Sequence, residues 1–352
     1  MVKSGLKKKM KTFAAAAAVL SMCLITGCGG ASGGNGESAG NSASSGDSAG
    51  ELKKVTLLLD WTPNTNHTGL YVAQEQGYFE EEGLDVDIEM PYNGTATQLV
   101  GAGKGDFGIS NTDDTVYAVT LDDPMPVKSI AAVIQHNTSG FVSLKEKGIE
   151  SPADWGGKTY GGFGGAAEEM VVRTIAEQNG VDPDTISFVV LGESDILTSL
   201  QRDIDFMWVF ESTELVNLDR LGAEYNYIPI REQAEEFDYY TPVIIVNTDF
   251  ADKDPEAVSA FLSAASKGYD YAAEHPGEAA DILLAAEPEL DKDIVKEGQE
   301  YLSVRYAQGA PQWGWQEEEV WSRYADFLFD NGLIENKAET ANVYTNEYLP
   351  KA

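Results

Sequence analysis

Apolar residues recur at every second position over short runs and at every third or fourth position over longer ones, and the two periods alternate along most of the chain. The spacing predicts strands at 55–59, 84–90, 107–110 and 127–135, with helices at 68–76, 95–102 and 113–121 between them. A second series follows, with strands at 158–161, 186–191 and 206–210 and helices at 168–179 and 195–201. Strands alternating with helices mark α/β units. The two series echo one another. A hydroxyl residue, Thr95 or Ser194, stands 11 residues before the aspartate of Asp106-Phe107 or Asp205-Phe206, and the two aspartates are 99 residues apart. Each hydroxyl is placed to cap the helix it opens. Two α/β lobes of related architecture are the expectation.

The extended runs 130–144 and 241–248 bracket the second series, so two strands are expected to cross between the lobes and form a hinge. Beyond them the chain turns helical, with Asp254 as a cap, Pro255 at the first helical position, and helices at 256–274, 278–286, 291–306 and 316–330. These are expected to pack back on the first lobe, which gives lobe bounds of 51–141 plus 242–352, and 142–241.

The amino-terminal segment changes the setting. Five lysines precede an apolar run from Phe13 to Ile25, and Leu24-Ile25-Thr26-Gly27-Cys28 resembles a bacterial lipobox. Residues 1–28 read as a lipoprotein signal, with Cys28 as the acylated first residue of the mature chain and a lipid anchor in the membrane. Cys23 would be lost with the leader, which removes cysteine catalysis and disulfides. Residues 29–50 hold no apolar side chain larger than alanine and read as a flexible tether with a reach of roughly 25 Å. The formal charge of −34 argues against nucleic acid and anionic headgroups as partners.

Candidate chemistry gathers at strand ends, where open α/β sheets bind ligands. The run Asp60-Trp61-Thr62-Pro63-Asn64-Thr65-Asn66-His67 joins the first strand to its helix, with Asn66 as the expected N-cap. Trp61 is either core filler or a ligand-facing ring. Gly161-Gly162-Phe163-Gly164-Gly165 joins a strand to a helix, so its backbone N–H groups either hold an anion or polar ligand edge, or simply turn the chain. No acid follows at the distance a dinucleotide fold requires, which argues against NAD. Three scattered histidines do not make a metal site, and no G-x-S-x-G elbow is present. No cofactor is expected. A flat ligand could stack on Trp61 or Phe163 while carboxylates accept bonds from its amino groups.

The segments LDWTPNTNHTGLYVAQEQGYFEEEGLDV, AAVIQHNTSGFVSLKEKGIESPADWGGKTYGGFGG, DFMWVF and WGWQEEEVWSRYADFLFDNGLI resemble the NMT1/THI5-like family of periplasmic-binding-type proteins, and within it the solute receptors of ABC importers for formylaminopyrimidine, a thiamine precursor. The resemblance covers residues 53–349. It implies a class II periplasmic-binding-protein fold, two α/β lobes on a two-strand hinge, a small aminopyrimidine in the cleft and an ABC permease as partner. It further implies that Trp61 stacks on the ring, that Asn64 and His67 share its wall, that Gly162–Gly165 (with Phe163, Gly164 and Gly165) and Glu168 or Glu169 line the other lobe, and that Glu214 is near the pocket. Glu211 stands where the receptors have a tyrosine, and Asn111-Thr112-Asp113 replaces an aromatic and a glutamine. Both departures leave the ligand open, with riboflavin, taurine or nitrate-like anions as alternatives. A receptor that signals to a membrane sensor has the same sequence features.

The same family includes a pyrimidine synthase that uses pyridoxal phosphate and a histidine of its own. Its cofactor lysine would fall at Ser110, its histidine at Asp114 and its cysteine-rich strand at 241–246. A serine cannot form an imine, and on that ground the sequence reading rejects an enzyme.

Overall fold

The computed structural model describes residues 51–192 and 194–351. The expected leader, Cys28 and the tether are outside the described residues. No helix among the described residues is long and apolar enough to cross a membrane.

Ten strands form two sheets: β1 (Lys53–Leu58), β2 (Leu84–Glu89), β3 (Phe107–Ser110), β4 (Val127–Ala132), β5 (Ser139–Leu144), β6 (Thr159–Gly162), β7 (Ser187–Val190), β8 (Phe206–Phe210), β9 (Tyr225–Pro229) and β10 (Val243–Asn247). The orders are β2-β1-β3-β10-β4 and β7-β6-β8-β5-β9. In each sheet three strands run parallel in the order second, first, third, and an antiparallel strand delivered from the other lobe is inserted next. The echo read in the sequence is repeated in atomic detail. Asp106 accepts from the Thr56 N–H at 2.9 Å, and Asp205 accepts from the Thr159 N–H at 2.8 Å, so each aspartate staples the third strand of its sheet to the first. Thr95 caps its helix as expected, but Asp195 and not Ser194 caps the other, its Oδ1 accepting from the Thr198 N–H at 2.7 Å. An aspartate at that position competes successfully because its carboxylate is the stronger acceptor. Strand β9 was not read from the sequence.

The first lobe's core is aromatic and aliphatic, centred on Phe107 stacked at 4.0 Å on Phe261 of the helix Pro255–Glu274. That helix lies against the helix Thr68–Glu75 at two glycines. A Cβ on Gly69 would meet the Tyr269 ring at 2.3 Å, and one on Gly268 would meet the Gly69 carbonyl at 2.0 Å. Neither site has room for a methyl group.

The two chain crossings are bonded to one another. Val133 N–H donates to the Pro242 carbonyl at 2.9 Å, Asn137 Nδ2 donates to the Phe237 carbonyl, and the Asn137 N–H and His136 Nδ1 both reach the Asp238 carboxylate. Strand β5 starts at Ser139 in the second sheet, so the boundary expected after residue 141 falls inside a strand. The helix Glu318–Asp330 covers the crossing through Tyr324 against Tyr239 at 4.3 Å and Phe327 against Phe237 at 5.1 Å.

Candidate functional site

Parallel strands end on the side of each sheet that carries the expected site residues. After β1, the turn is fixed by Asn64, not by Asn66 as the sequence suggested. Asn64 has extended φ and ψ, its Oδ1 accepts from the Asn66 N–H at 2.9 Å, and its own N–H donates to His67 Nδ1 at 3.3 Å. His67 is fully buried, and its Nε2 meets Asp60 Oδ1 at 2.8 Å. With Nδ1 accepting, Nε2 carries the proton and donates to Asp60. Neither ring nitrogen is left for a ligand, so His67 is a brace for the turn and not the ligand contact the resemblance implied. Two buried tyrosines hold the turn from behind, Tyr269 donating to the Asn66 carbonyl at 2.8 Å and Tyr306 to the Thr65 carbonyl at 2.9 Å. What this rigid support leaves free is Trp61, 51% exposed.

In the second lobe the glycine turn follows β6. Gly164 has φ of +91°, which glycine adopts without strain. The N–H groups of Phe163, Gly164 and Gly165 converge as expected for an anion site, but the anion is the protein's own. Glu168 accepts from all three at 2.9–3.2 Å and from the Tyr160 hydroxyl at 2.6 Å. The sequence reading of bare N–H groups is corrected accordingly: the carboxylate three residues into the helix Ala166–Gln178 folds back and fills them. Phe163, like Trp61, stays exposed.

The third strands end in acids with different fates. After β3, Asn111 is exposed, and Asp113 is half-buried in the first turn of the helix Thr112–Thr120. Burial, followed by repulsion from Asp114, pushes the Asp113 carboxyl up to about 6. After β8, Glu211 is 7% exposed and is bound by Arg231 Nη1 at 3.0 Å and by the Tyr227 hydroxyl at 2.9 Å. Arg231 also donates to the Asn137 carbonyl, so Glu211 anchors the crossing and does not face a ligand. Glu214 accepts from the Phe210 N–H at 2.8 Å and the Thr213 hydroxyl at 2.7 Å and closes its own turn.

Asp113 from one lobe and Glu168 from the other both act on Tyr239 at the crossing. Its hydroxyl is pushed well above the ordinary tyrosine value by burial first, then by Asp113, and to a lesser degree by Glu168. Trp61, just after β1, and Phe163, just after β6, are the exposed rings that follow equivalent strands of the two lobes. The sequence reading missed Tyr239 and Tyr160, and named Asp60 only as part of its run. The pair Tyr239-Tyr240 directly before the crossing strand was the available signal.

This geometry, two α/β lobes with an inserted antiparallel strand in each and a doubly bonded crossing, defines the class II periplasmic-binding-protein fold. The periplasmic aliphatic sulphonate binding protein of Escherichia coli superposes with a TM-score of 0.66 at 13% identity, covering 84% of this chain and 99% of its own. The family model described as NMT1/THI5 like matches residues 64–279. The chain belongs to the NMT1/THI5-like family. It is 31% identical over 302 residues to a formylaminopyrimidine-binding protein of Halalkalibacterium halodurans, covering 84% of this chain and 90% of the relative. It is also 28% identical over 306 residues to a protein of Legionella pneumophila named 4-amino-5-hydroxymethyl-2-methylpyrimidine phosphate synthase, covering 84% and 92%. That second likeness overturns the rejection of an enzyme made from the sequence. Relatives named as enzymes match the chain over the same length as the binding protein does, so the side chains at Ser110 and Asp114 do not by themselves exclude catalysis.

Proposed function

We propose that this chain is the extracytoplasmic solute-binding lipoprotein of an ABC importer, anchored through Cys28 and binding a small aminopyrimidine thiamine precursor between its lobes. We place the lobe division at the crossings 133–138 and 237–242. The observation that carries the ligand assignment is that Trp61 and Phe163, one exposed ring from each lobe, follow equivalent strands, with Glu168 bonded to the Phe163 N–H and Asp113 in the first helical turn after β3. A flat ring offers two π-faces to such walls, and its exocyclic amino group donates to a carboxylate. The binding-protein relative supports a pyrimidine in particular. Of the residues named for the site, Trp61, Phe163, Asp113 and Asn111 are the contacts in this reading. His67, Glu168, Glu211 and Glu214 shape the walls, and Gly164 and Gly165 turn the chain. Closure follows from contacts made with both lobes at once, since only a difference in affinity between open and closed states moves a hinge.

Isothermal titration of the full chain with formylaminopyrimidine, riboflavin and taurine tests the ligand. Binding of the pyrimidine alone is expected, with Trp61→Ala losing about 2–4 kcal/mol of binding free energy. Tight binding of another compound and none of the pyrimidine would refute the ligand. The synthase relatives favour a second reading, in which the same cleft makes a pyrimidine. Release of a pyrimidine phosphate from the chain incubated with pyridoxal phosphate, read by mass spectrometry, would decide for it.

A further inference from the structure

Eleven large apolar residues stay exposed among the described residues, and six of them, Trp61, Met90, Tyr92, Phe163, Val189 and Val190, lie at the carboxyl ends of β1, β2, β6 and β7. Solvent-exposed apolar surface concentrated in this way marks a place where a ligand or another surface is bound. The register shows how the six are grouped. Leu58 of β1 pairs with Glu89 of β2, so Trp61 and Tyr92 are each three residues beyond a paired position on neighbouring strands. In the second sheet Gly162 pairs with Val190, so Val190 is one position short of Phe163 on the neighbouring strand, and a Cβ on Gly164 would meet Val190 at 2.8 Å. The two clusters arise from equivalent strand pairs of two lobes with the same strand order. Tyr92 is the most exposed of the six at 81%, held at its hydroxyl by Glu89 at 3.2 Å.

We propose that Tyr92 is a further ligand-covering residue: when the lobes close, Met90 and Tyr92 meet Val189 and Val190, and the Tyr92 ring completes with Trp61 and Phe163 an aromatic enclosure around the bound ring. This rests on the ligand reading above for what is enclosed, and on the exposed clusters alone for the closing contact. Tyr92 serves through its ring and not its hydroxyl, which Glu89 already engages.

Two measurements on the full chain separate the inference from the reading it rests on. In titration with formylaminopyrimidine, Tyr92→Ala is expected to weaken binding about tenfold or more, while Tyr92→Phe stays within about threefold. Binding by Tyr92→Ala within about twofold of the unsubstituted chain overturns the proposal. Should the unsubstituted chain bind no pyrimidine, the ligand reading fails, and the closing contact is read without ligand. Cys23 and Cys28 are changed to serine in both cross-linking variants, and residues 51–352 contain no cysteine of their own. The pair Tyr92→Cys with Val190→Cys, treated with a short bismaleimide and mapped by peptide mass spectrometry, is expected to cross-link about fivefold faster than Tyr92→Cys with Leu221→Cys, which is exposed elsewhere on the second lobe. Equal rates overturn the proposal.

Discussion

Replacing Glu168 by alanine removes one carboxylate and strands four donors at once. The Tyr160 hydroxyl, 2.6 Å from Glu168 Oε1, belongs to a side chain only 2% exposed. Left without an acceptor in the core, it costs about 1–3 kcal/mol. The N–H groups of Phe163, Gly164 and Gly165 are in an exposed turn, so water replaces the carboxylate there and the net loss is smaller, about 0.5–1 kcal/mol in all once solvent is counted. Removing a negative charge from the first turn of the helix Ala166–Gln178 adds about 0.3–1 kcal/mol. Together these terms give a loss of about 2–5 kcal/mol for Glu168→Ala. Glu168→Gln should lose about half as much, since its amide oxygen still accepts. Urea unfolding of the full chain followed by tryptophan fluorescence reads the loss as a lower midpoint at unchanged slope. The vacated turn has a second signature. Three converging N–H groups at a helix start form an anion nest, so sulfate should raise the unfolding temperature of Glu168→Ala and leave that of the unsubstituted chain unmoved. A Glu168→Ala midpoint equal to the parent's, with no response to sulfate, would refute the account of the turn.

Other substitutions probe other parts of the structure. Asp113, with its carboxyl raised from 3.8 to about 6 by burial, binds its proton more tightly folded than unfolded. Its protonated form therefore stabilises the fold below about pH 4, and that advantage is lost as pH rises to about 6 and beyond, which makes Asp113→Asn more stable than the parent by about 2–3 kcal/mol at pH 7.5 and equal to it at pH 4; equal stability at both pH values would count against the burial. His67→Ala, by opening a cavity at a fully buried site and releasing Asp60 and the Asn64 N–H, should cost about 3 kcal/mol in thermal unfolding. Gly298→Ala ought to gain up to about 1 kcal/mol of helix propensity, yet its Cβ would stand 2.2 Å from the Ser212 carbonyl of the other lobe, so a net loss is expected, in contrast with Gly277→Ala, where nothing is within reach; a gain at Gly298 would refute the close interlobe contact.

The strands were legible because buried strands alternate or run apolar while their turns do not, and because Asp106 and Asp205 stand before equivalent strands. The walls were only half legible. Trp61 and Phe163 could be named from their place after strands, and both are exposed. His67, Glu168 and Glu211 were named for the right neighbourhood and the wrong office. Whether a polar side chain faces a ligand or its own backbone depends on partners such as the Asn64 N–H, the glycine turn and Arg231, twenty residues beyond Glu211. Tyr92 gives no signal of its own in the sequence, because Asn93-Gly94-Thr95 directly after it reads as a plain turn. Only the register of β1 on β2 shows that it leaves a strand neighbouring the one that leads to Trp61.

The bonds between the two crossings carry a mechanical consequence. Two independent connections would let the lobes twist, slide and bend separately. Here Val133 is tied to Pro242, Asn137 to Phe237 and Asp238, and Thr138 to Thr241, so the crossings move as one ribbon. A ribbon pinned along its length leaves the pair of lobes a single soft coordinate, as in a caliper. The distance between any two points on opposite lobes then reports the same angle.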